Sequence, residues 1–173
     1  MDFRKGGSSD IGKVLETLSD NDLEMLGGEP EQNLRGDDIC VVCEDGGKPV
    51  GYIAGFARSG GENLFYSVEL AVSPQYRGKG LGYELGRHLV SCVRKTEASL
   101  ICWRVEKPNE SSKKIVERLG GKLQGFDGKY LKYYIFNVSV EEGTVEEANE
   151  VVASLHGSDV DSVHELGAYD AKS

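Results

Sequence analysis

Apolar residues change period along this chain, and each change marks an element. Phe3-Arg4-Lys5 reads as a short strand. Ile11, Val14, Leu15 and Leu18 then recur at helical spacing, which predicts a helix over Asp10–Leu18 with Ser9 or Asp10 as its cap. A second short helix spans Asp20–Leu26 and stops at Gly27-Gly28; a polar loop runs from Glu29 to Asp38. A meander of strands follows: Ile39–Glu44, a turn at Asp45-Gly46-Gly47-Lys48, Val50–Arg58, a turn over Ser59–Asn63, and Leu64–Val72.

From about Gly80 the period is helical again, with Leu81, Leu85, Leu89, Cys92 and Val93 on one stripe. Ser99–Val105 reads as a buried strand. Strand, helix, strand predicts a parallel crossover that sets Leu70 and Leu100 on neighbouring strands. Asn109, just after Pro108, is placed to cap a helix whose face carries Ser112, Ile115, Val116 and Leu119 and which ends at Gly120-Gly121. Lys122–Phe126, Asp127-Gly128 and Tyr130–Val138 form a closing hairpin. Thr144-Val-Glu-Glu147 is a capping box for a helix through Leu155, with Val145, Ala148, Val151, Val152 and Leu155 on its apolar face; Gly157–Ser173 is polar. The predicted division is one α/β (α+β) domain over residues 1–138 and an acidic helix and tail over 139–173. The tail reads either as a solvated appendage or as a helix for a partner or a second copy.

Composition supports a single core: 173 residues, 39% of them hydrophobic. No apolar run is long enough to span a bilayer, and the first ten residues lack a signal-peptide core, so a cytoplasmic protein is expected. The formal charge of −9 is concentrated at one end. Nine acidic residues lie from Ser139 onward against Lys172 alone, leaving 20 acidic and 19 basic residues elsewhere. With no basic stripe interleaved with aromatics, nucleic acid is not an expected partner. Cys40-Val-Val-Cys43 has metal or redox spacing, but on a strand residues three apart face opposite ways, so two buried free thiols are expected and no metal.

Candidate chemistry centres on Ser73-Pro-Gln-Tyr-Arg-Gly-Lys-Gly-Leu-Gly82. A strand running through a glycine-rich, basic turn into a helix builds an anion site. The first-turn amides lack intrahelical partners, and the helix dipole adds partial positive charge. Gly78, Gly80 and Gly82 permit close backbone approach, and Arg77 and Lys79 add full charges. The stretch is not a Walker loop, and it lacks the third glycine of a dinucleotide fingerprint.

The run Arg77-Gly78-Lys79-Gly80-Leu81-Gly82 resembles the acetyl-CoA signature of the GNAT family of N-acetyltransferases, Arg/Gln-x-x-Gly-x-Gly/Ala. Gly51-Tyr52-Ile53-Ala54-Gly55 also resembles that family's third strand. A second signature is met at Asn109, Ser112, Arg118 and Gly120; it departs at Val116, where many members carry Tyr, and at Gly121, where Phe is usual. The resemblance covers roughly Phe3 to Val138. It implies a mixed, mostly antiparallel twisted sheet of six to seven strands flanked by about four helices, with two parallel strands splayed to admit pantetheine. It implies acetyl-CoA as co-substrate, held by Leu70, Ala71 and Val72 of the central strand, by residues 77–82, and by Asn109 and Ser112. The acceptor would be an amine of a small molecule or protein; a monomer and a homodimer both fit.

Direct attack on the thioester needs a neutral amine. A lysine-like amine of pKa ~10.4 is neutral at pH 7 about four times in ten thousand, a deficit of roughly 4–5 kcal/mol in the barrier. A carboxylate could remove much of it. Glu69, in the central strand, is the first candidate base, and its other reading is an ordinary carboxylate on a sheet face. Glu106, at the end of the fifth strand, is the second. Tyr130, Tyr133 and Tyr134 are fallback acids for the thiolate, with aromatic packing as their plainer reading. His88 is expected to be packed and hydrogen-bonded at the edge of its helix stripe. Two functions remain open: an N-acetyltransferase, or a non-catalytic acyl-CoA-binding or sensing domain, which the loss of tyrosine at position 116 would favour.

Overall fold

The computed structural model describes residues 1–26, 30, 32–60 and 63–137. The Gly27-Gly28 helix stop, the predicted Thr144–Leu155 helix and the acidic tail lie outside the described residues. The elements run β1 (Asp2–Lys5), α1 (Ser8–Leu15), α2 (Asp20–Met25), β2 (Ile39–Asp45), β3 (Lys48–Gly60), β4 (Asn63–Val72), a 3-10 turn (Pro74–Tyr76), α3 (Leu81–Val93), β5 (Leu100–Glu106), α4 (Glu110–Arg118), β6 (Lys122–Asp127) and β7 (Tyr130–Phe136). They form one seven-stranded sheet in the order β1-β2-β3-β4-β5-β7-β6. Every pairing is antiparallel except β4 with β5, which the α3 crossover makes parallel.

Strand alternation sorts the core into two faces. Ile53, Tyr66, Ile101 and Trp103 pack with Leu81, Leu85 and Leu89 of α3 and Val116 of α4. Val42, Tyr52, Ala54, Phe56 and Ala71 pack with Ile11, Val14 and Leu15 of α1. Cys43 belongs to the first face and Cys40 to the second, so the two buried thiols are separated by the sheet, as alternation requires.

Some local expectations are revised. Helix α1 starts earlier than predicted: Gly7 is its N-cap, and Asp10 serves from the third helical position by accepting the Gly7 N–H at 3.0 Å. Val90 takes a buried place on α3, whereas Cys92 is half-buried. His88 is exposed and stacks on Phe3, ring centroids 4.8 Å apart; no hydrogen bond is needed where water reaches the imidazole.

Arg4 ties α1 to the sheet edge, reaching both Asp10 carboxylate oxygens at 3.0 and 2.8 Å and Glu44. The Arg4 guanidinium holds the Asp10 carboxyl below its usual range, against the opposing effect of partial burial. A depressed carboxylate stabilises the fold above its unfolded pKa and loses that contribution as pH falls through the folded value. Asp10→Asn is therefore expected to melt below wild type at neutral pH, with the gap narrowing below about pH 4. Thermal melts of both proteins from pH 7 to 3 check this, and a gap that widens on acidification would refute it.

Candidate functional site

Ladder pairing between β4 and β5 joins only Phe65 to Leu100, Tyr66 to Ile101 and Ser67 to Cys102. Beyond Ser67, β4 pairs with β3 alone and β5 with β7 alone, so the parallel strands part where Leu70–Val72 begin. A cleft of about 540 Å³ opens there. Its walls include Leu70, Ala71 and Val72 of β4, the loop residues Tyr76, Arg77, Gly78 and Gly80, and Leu81, Gly82 and Tyr83 of α3. Helix α4 and its cap supply Asn109, Ser111, Ser112, Ile115 and Arg118; Leu18, Asp22, Met25 and Leu26 close the side towards α2. Ten of the eleven residues implied as coenzyme contacts thus share one cleft. Lys79 is exposed and does not line it; its ammonium sits 4.8 Å from the centre of the Tyr76 ring.

Gly80 is the N-cap of α3, in left-handed conformation at φ 81°, and Gly78 has φ 74°. Side chains other than glycine rarely adopt these angles, so the loop's path requires glycine at both positions. Intrahelical bonding starts with the Tyr83 and Glu84 amides, both on the Gly80 carbonyl. The amides of Leu81 and Gly82 belong to the unpartnered first turn at the cleft wall. Gly82 has a different task from the one its position in the signature suggests. A Cβ there would come within 2.9 Å of Ile115 Cδ1 and 3.5 Å of Leu70 Cδ2. One turn on, a Cβ at Gly86 would meet Leu119 Cδ1 at 2.5 Å. Both glycines bring α3 against α4.

Helix α4 is built as its sequence predicts at both ends. Asn109 Oδ1 accepts the Ser112 N–H at 3.0 Å, capping the helix beside the cleft. At the other end Gly120, at φ 88°, donates to the Glu117 carbonyl at 3.0 Å, and Gly121 donates to the Val116 carbonyl at 2.9 Å. This pairing closes the helix by the Schellman pattern. A Cβ on Gly121 would lie 2.8 Å from the Val116 oxygen and 2.6 Å from Val116 Cγ2, which explains glycine where phenylalanine is usual. Val116 itself is wholly buried in the α3–α4 core and offers no acid.

Arg77 is already engaged. Its Nε donates to the Val72 carbonyl at 3.0 Å, and its guanidinium bridges to Asp22 Oδ1 of α2 at 2.9 Å. Arg77 holds the Asp22 carboxyl below its usual range. The glycine-rich loop is thereby tied across the cleft to α2. Arg118, 4.0 Å from the Tyr83 ring centre, is a second cation at the rim.

Neither candidate base lines the cleft. Glu69 is half-buried on the α1 face of β4, two residues before Ala71, and it accepts a hydrogen bond from the hydroxyl of wholly buried Tyr52. Glu106 lies in an ion pair with Lys129. The tyrosines of β7 are dispersed. Tyr130 packs beneath Arg104 at 4.4 Å. Tyr133 donates to Glu117 at 3.1 Å, and burial, then that carboxylate, push its hydroxyl up to about 12. Tyr134 lies buried on the opposite face beside Cys102. Sequence reading missed Tyr83 and Ile115, and the individual residues of the α2 wall, although the family resemblance implies that the two N-terminal helices and their loop form part of the acceptor wall. Ile115 carried a signal as part of the apolar stripe of α4, whereas Asp22 carried none. Among the described residues there is no His, Cys, Asp and Glu grouping able to hold a metal ion, and no helix is long and apolar enough to cross a membrane.

The fold is that of known acetyltransferase domains. The GNAT domain of S. lividans PAT superposes with a TM-score of 0.64 at 13% identity, over 78% of this chain and 89% of that one. The Salmonella typhimurium protein yncA, solved with its cofactor acetyl-CoA, gives 0.60 at 17% identity over 82% and 96%. In sequence, the L-2,4-diaminobutyric acid acetyltransferase of Vibrio cholerae serotype O1 is 25% identical over 89 residues, 51% of each chain. The chain spans about half the length of the curated relatives it matches. Residues 13–121 match the family model described as acetyltransferase (GNAT) family. With the splayed strands, the glycine-rich loop and the capped α4 around one cleft, that match means that the chain belongs to the GNAT acetyltransferase family, whose co-substrate is acetyl-CoA.

Proposed function

We propose that this protein transfers the acetyl group of acetyl-CoA to a primary amine by direct attack on the thioester. The observation that carries the reading is the parting of β4 from β5 after Ser67, directly beside the α3 amides. An extended pantetheine arm needs backbone partners, and the β4 edge over Leu70–Val72 supplies them. The pyrophosphate would lie against the amides of residues 77–82, with Asn109 and Ser112 at its side. Glu69 takes one proton from the acceptor's ammonium form, directly or through water; the neutral amine then forms the new N–C bond, the C–S bond breaks, and the second amine proton goes to the departing thiolate or to water. A backbone N–H in Leu70–Val72 would stabilise the oxyanion. Glu69 is preferred to Glu106 because it shares a sheet face with Ala71 of the cleft, whereas Glu106 is neutralised by Lys129.

Val116 favours a second reading, a domain that binds acyl-CoA without turning it over. Thiol release from acetyl-CoA over a panel of amines separates the two. The panel includes L-2,4-diaminobutyric acid, the substrate in the name of the Vibrio cholerae relative, together with polyamines and peptide N-termini. Amine-dependent release establishes the transferase; tight acetyl-CoA binding without release from any amine would establish the second reading. We assign both activities to residues 1–138. A truncation ending at Val138 is therefore expected to keep full acetyl-CoA affinity by calorimetry, and loss of that affinity would assign part of the site to residues 139–173.

A further inference from the structure

We propose that Tyr52 is a positioning residue: its buried hydroxyl holds the Glu69 carboxylate in place and keeps it ionised for proton abstraction. This rests on Glu69 being the base. Tyr52 and Glu69 come together through the β3–β4 register. Tyr52 pairs with Ala71 and Ala54 with Glu69, so the two side chains are diagonal neighbours on the α1 face. The Tyr52 ring has no solvent exposure and packs with Ile11, Val14, Ala54 and Ala71. That packing buries the ring on all sides. Its O–H points at Glu69 Oε1, and a phenol locked this way is a fixed donor.

A fixed donor to a carboxylate acts twice. It selects one orientation of the group, and it stabilises the anion over the acid, so more of the base is competent at a given pH. The tyrosine does not surrender its own proton: burial, then the charge of Glu69, push its hydroxyl far above the ordinary range. It acts as a hydrogen-bond donor, not as an acid.

Among the described residues, the charged and titratable groups coupled to Tyr52 and Cys40 are few. Cys40 of β2 faces Tyr52, and burial raises its thiol to about 12, so it stays neutral. Behind Cys40, Asp10 of α1 and Arg4 of β1 are paired with each other, and Asp10 is held ionised. The acceptor amine also titrates, so the part of the acid limb that Y52F moves in wild type and leaves unmoved in E69Q is the part that reports on Glu69.

Tyr52→Phe keeps the ring and removes the donor. The expected result is an acid limb of kcat/KM moved up by roughly one pH unit, hence a rate about tenfold lower on that limb, with an unchanged KM for acetyl-CoA. Recovery of rate at high pH is part of the expectation, because the base is then ionised without help. Glu69→Asp, which withdraws the carboxylate from the hydroxyl by one methylene, should move the limb the same way and serves if Y52F does not fold. In a Glu69→Gln background, Y52F should cost nothing further. A uniform loss of kcat at all pH values with an unmoved limb would overturn the positioning role. Wild-type turnover in E69Q would overturn the base assignment instead, so the two failures are distinct.

Discussion

Glu69→Gln is expected to lower turnover by ~10²-fold or more at neutral pH while leaving acetyl-CoA affinity essentially unchanged. The amide keeps the shape of the carboxylate and can still accept from Tyr52. What disappears is the capacity to take a proton. Without a base, the enzyme depends on the minute neutral fraction of the acceptor, and that deficit of roughly 4–5 kcal/mol sets the scale of the loss. The defect should shrink as pH rises towards the amine's own pKa, where free amine becomes plentiful. Loss of the family tyrosine does not produce an equal defect. A thiol of pKa about 8.5 leaves as a modestly basic thiolate and has little need of an acid near neutral pH. Steady-state rates of E69Q from pH 6 to 10 check the assignment. Wild-type rates at pH 7 would remove Glu69 from the mechanism and make Glu106 the next variant, even though its carboxylate is paired with Lys129.

Substituting Gly80 should have the second large effect. At φ 81° a valine is strained by roughly 1–2 kcal/mol or more, and the loop relieves the strain by turning its amides away from the anion. Calorimetry is expected to show at least ~100-fold weaker acetyl-CoA binding for G80V in a protein that still melts cooperatively. Gly128→Val is the control: its φ of 55° imposes comparable strain in the β6–β7 turn, so it should lower stability and leave affinity alone. Gly82→Val works by another route. Its methyl groups would press on Ile115 and Leu70, two cleft residues, at an overpacking cost of roughly 1–3 kcal/mol. Because the nearest atom is the end of a flexible side chain, G82V should bind more weakly than wild type but better than G80V. Full affinity in G80V would move the coenzyme site away from the loop.

Much of this arrangement was legible in the chain itself, because it depends on neighbours in sequence. The periods of apolar residues located every described helix and strand to within a few positions. Asn109 announced its cap by standing just after a proline, and Gly120-Gly121 announced the end of α4. The opposite-face placement of Cys40 and Cys43 followed from the pleat alone. The parallel pairing of β4 and β5 followed from the strand, helix, strand run, whereas their parting was implied only by the resemblance to the GNAT family.

Other features were decided only when distant segments met. Arg77 reads in sequence as a free cation of an anion loop; folding brings α2 beside it and gives half of its guanidinium to Asp22. Gly82 reads as part of a phosphate loop; the approach of α4 makes it a spacer for Ile115. Glu69 reads as a lone carboxylate on a strand; the β3–β4 register sets Tyr52 diagonally opposite, and α1 covers the ring. Local periodicity and caps depend on backbone dihedrals within a few residues, so sequence determines them directly. Which charge meets which, and which glycine is crowded, depends on the register and layer packing of segments far apart in the chain, and those are settled only by the tertiary structure.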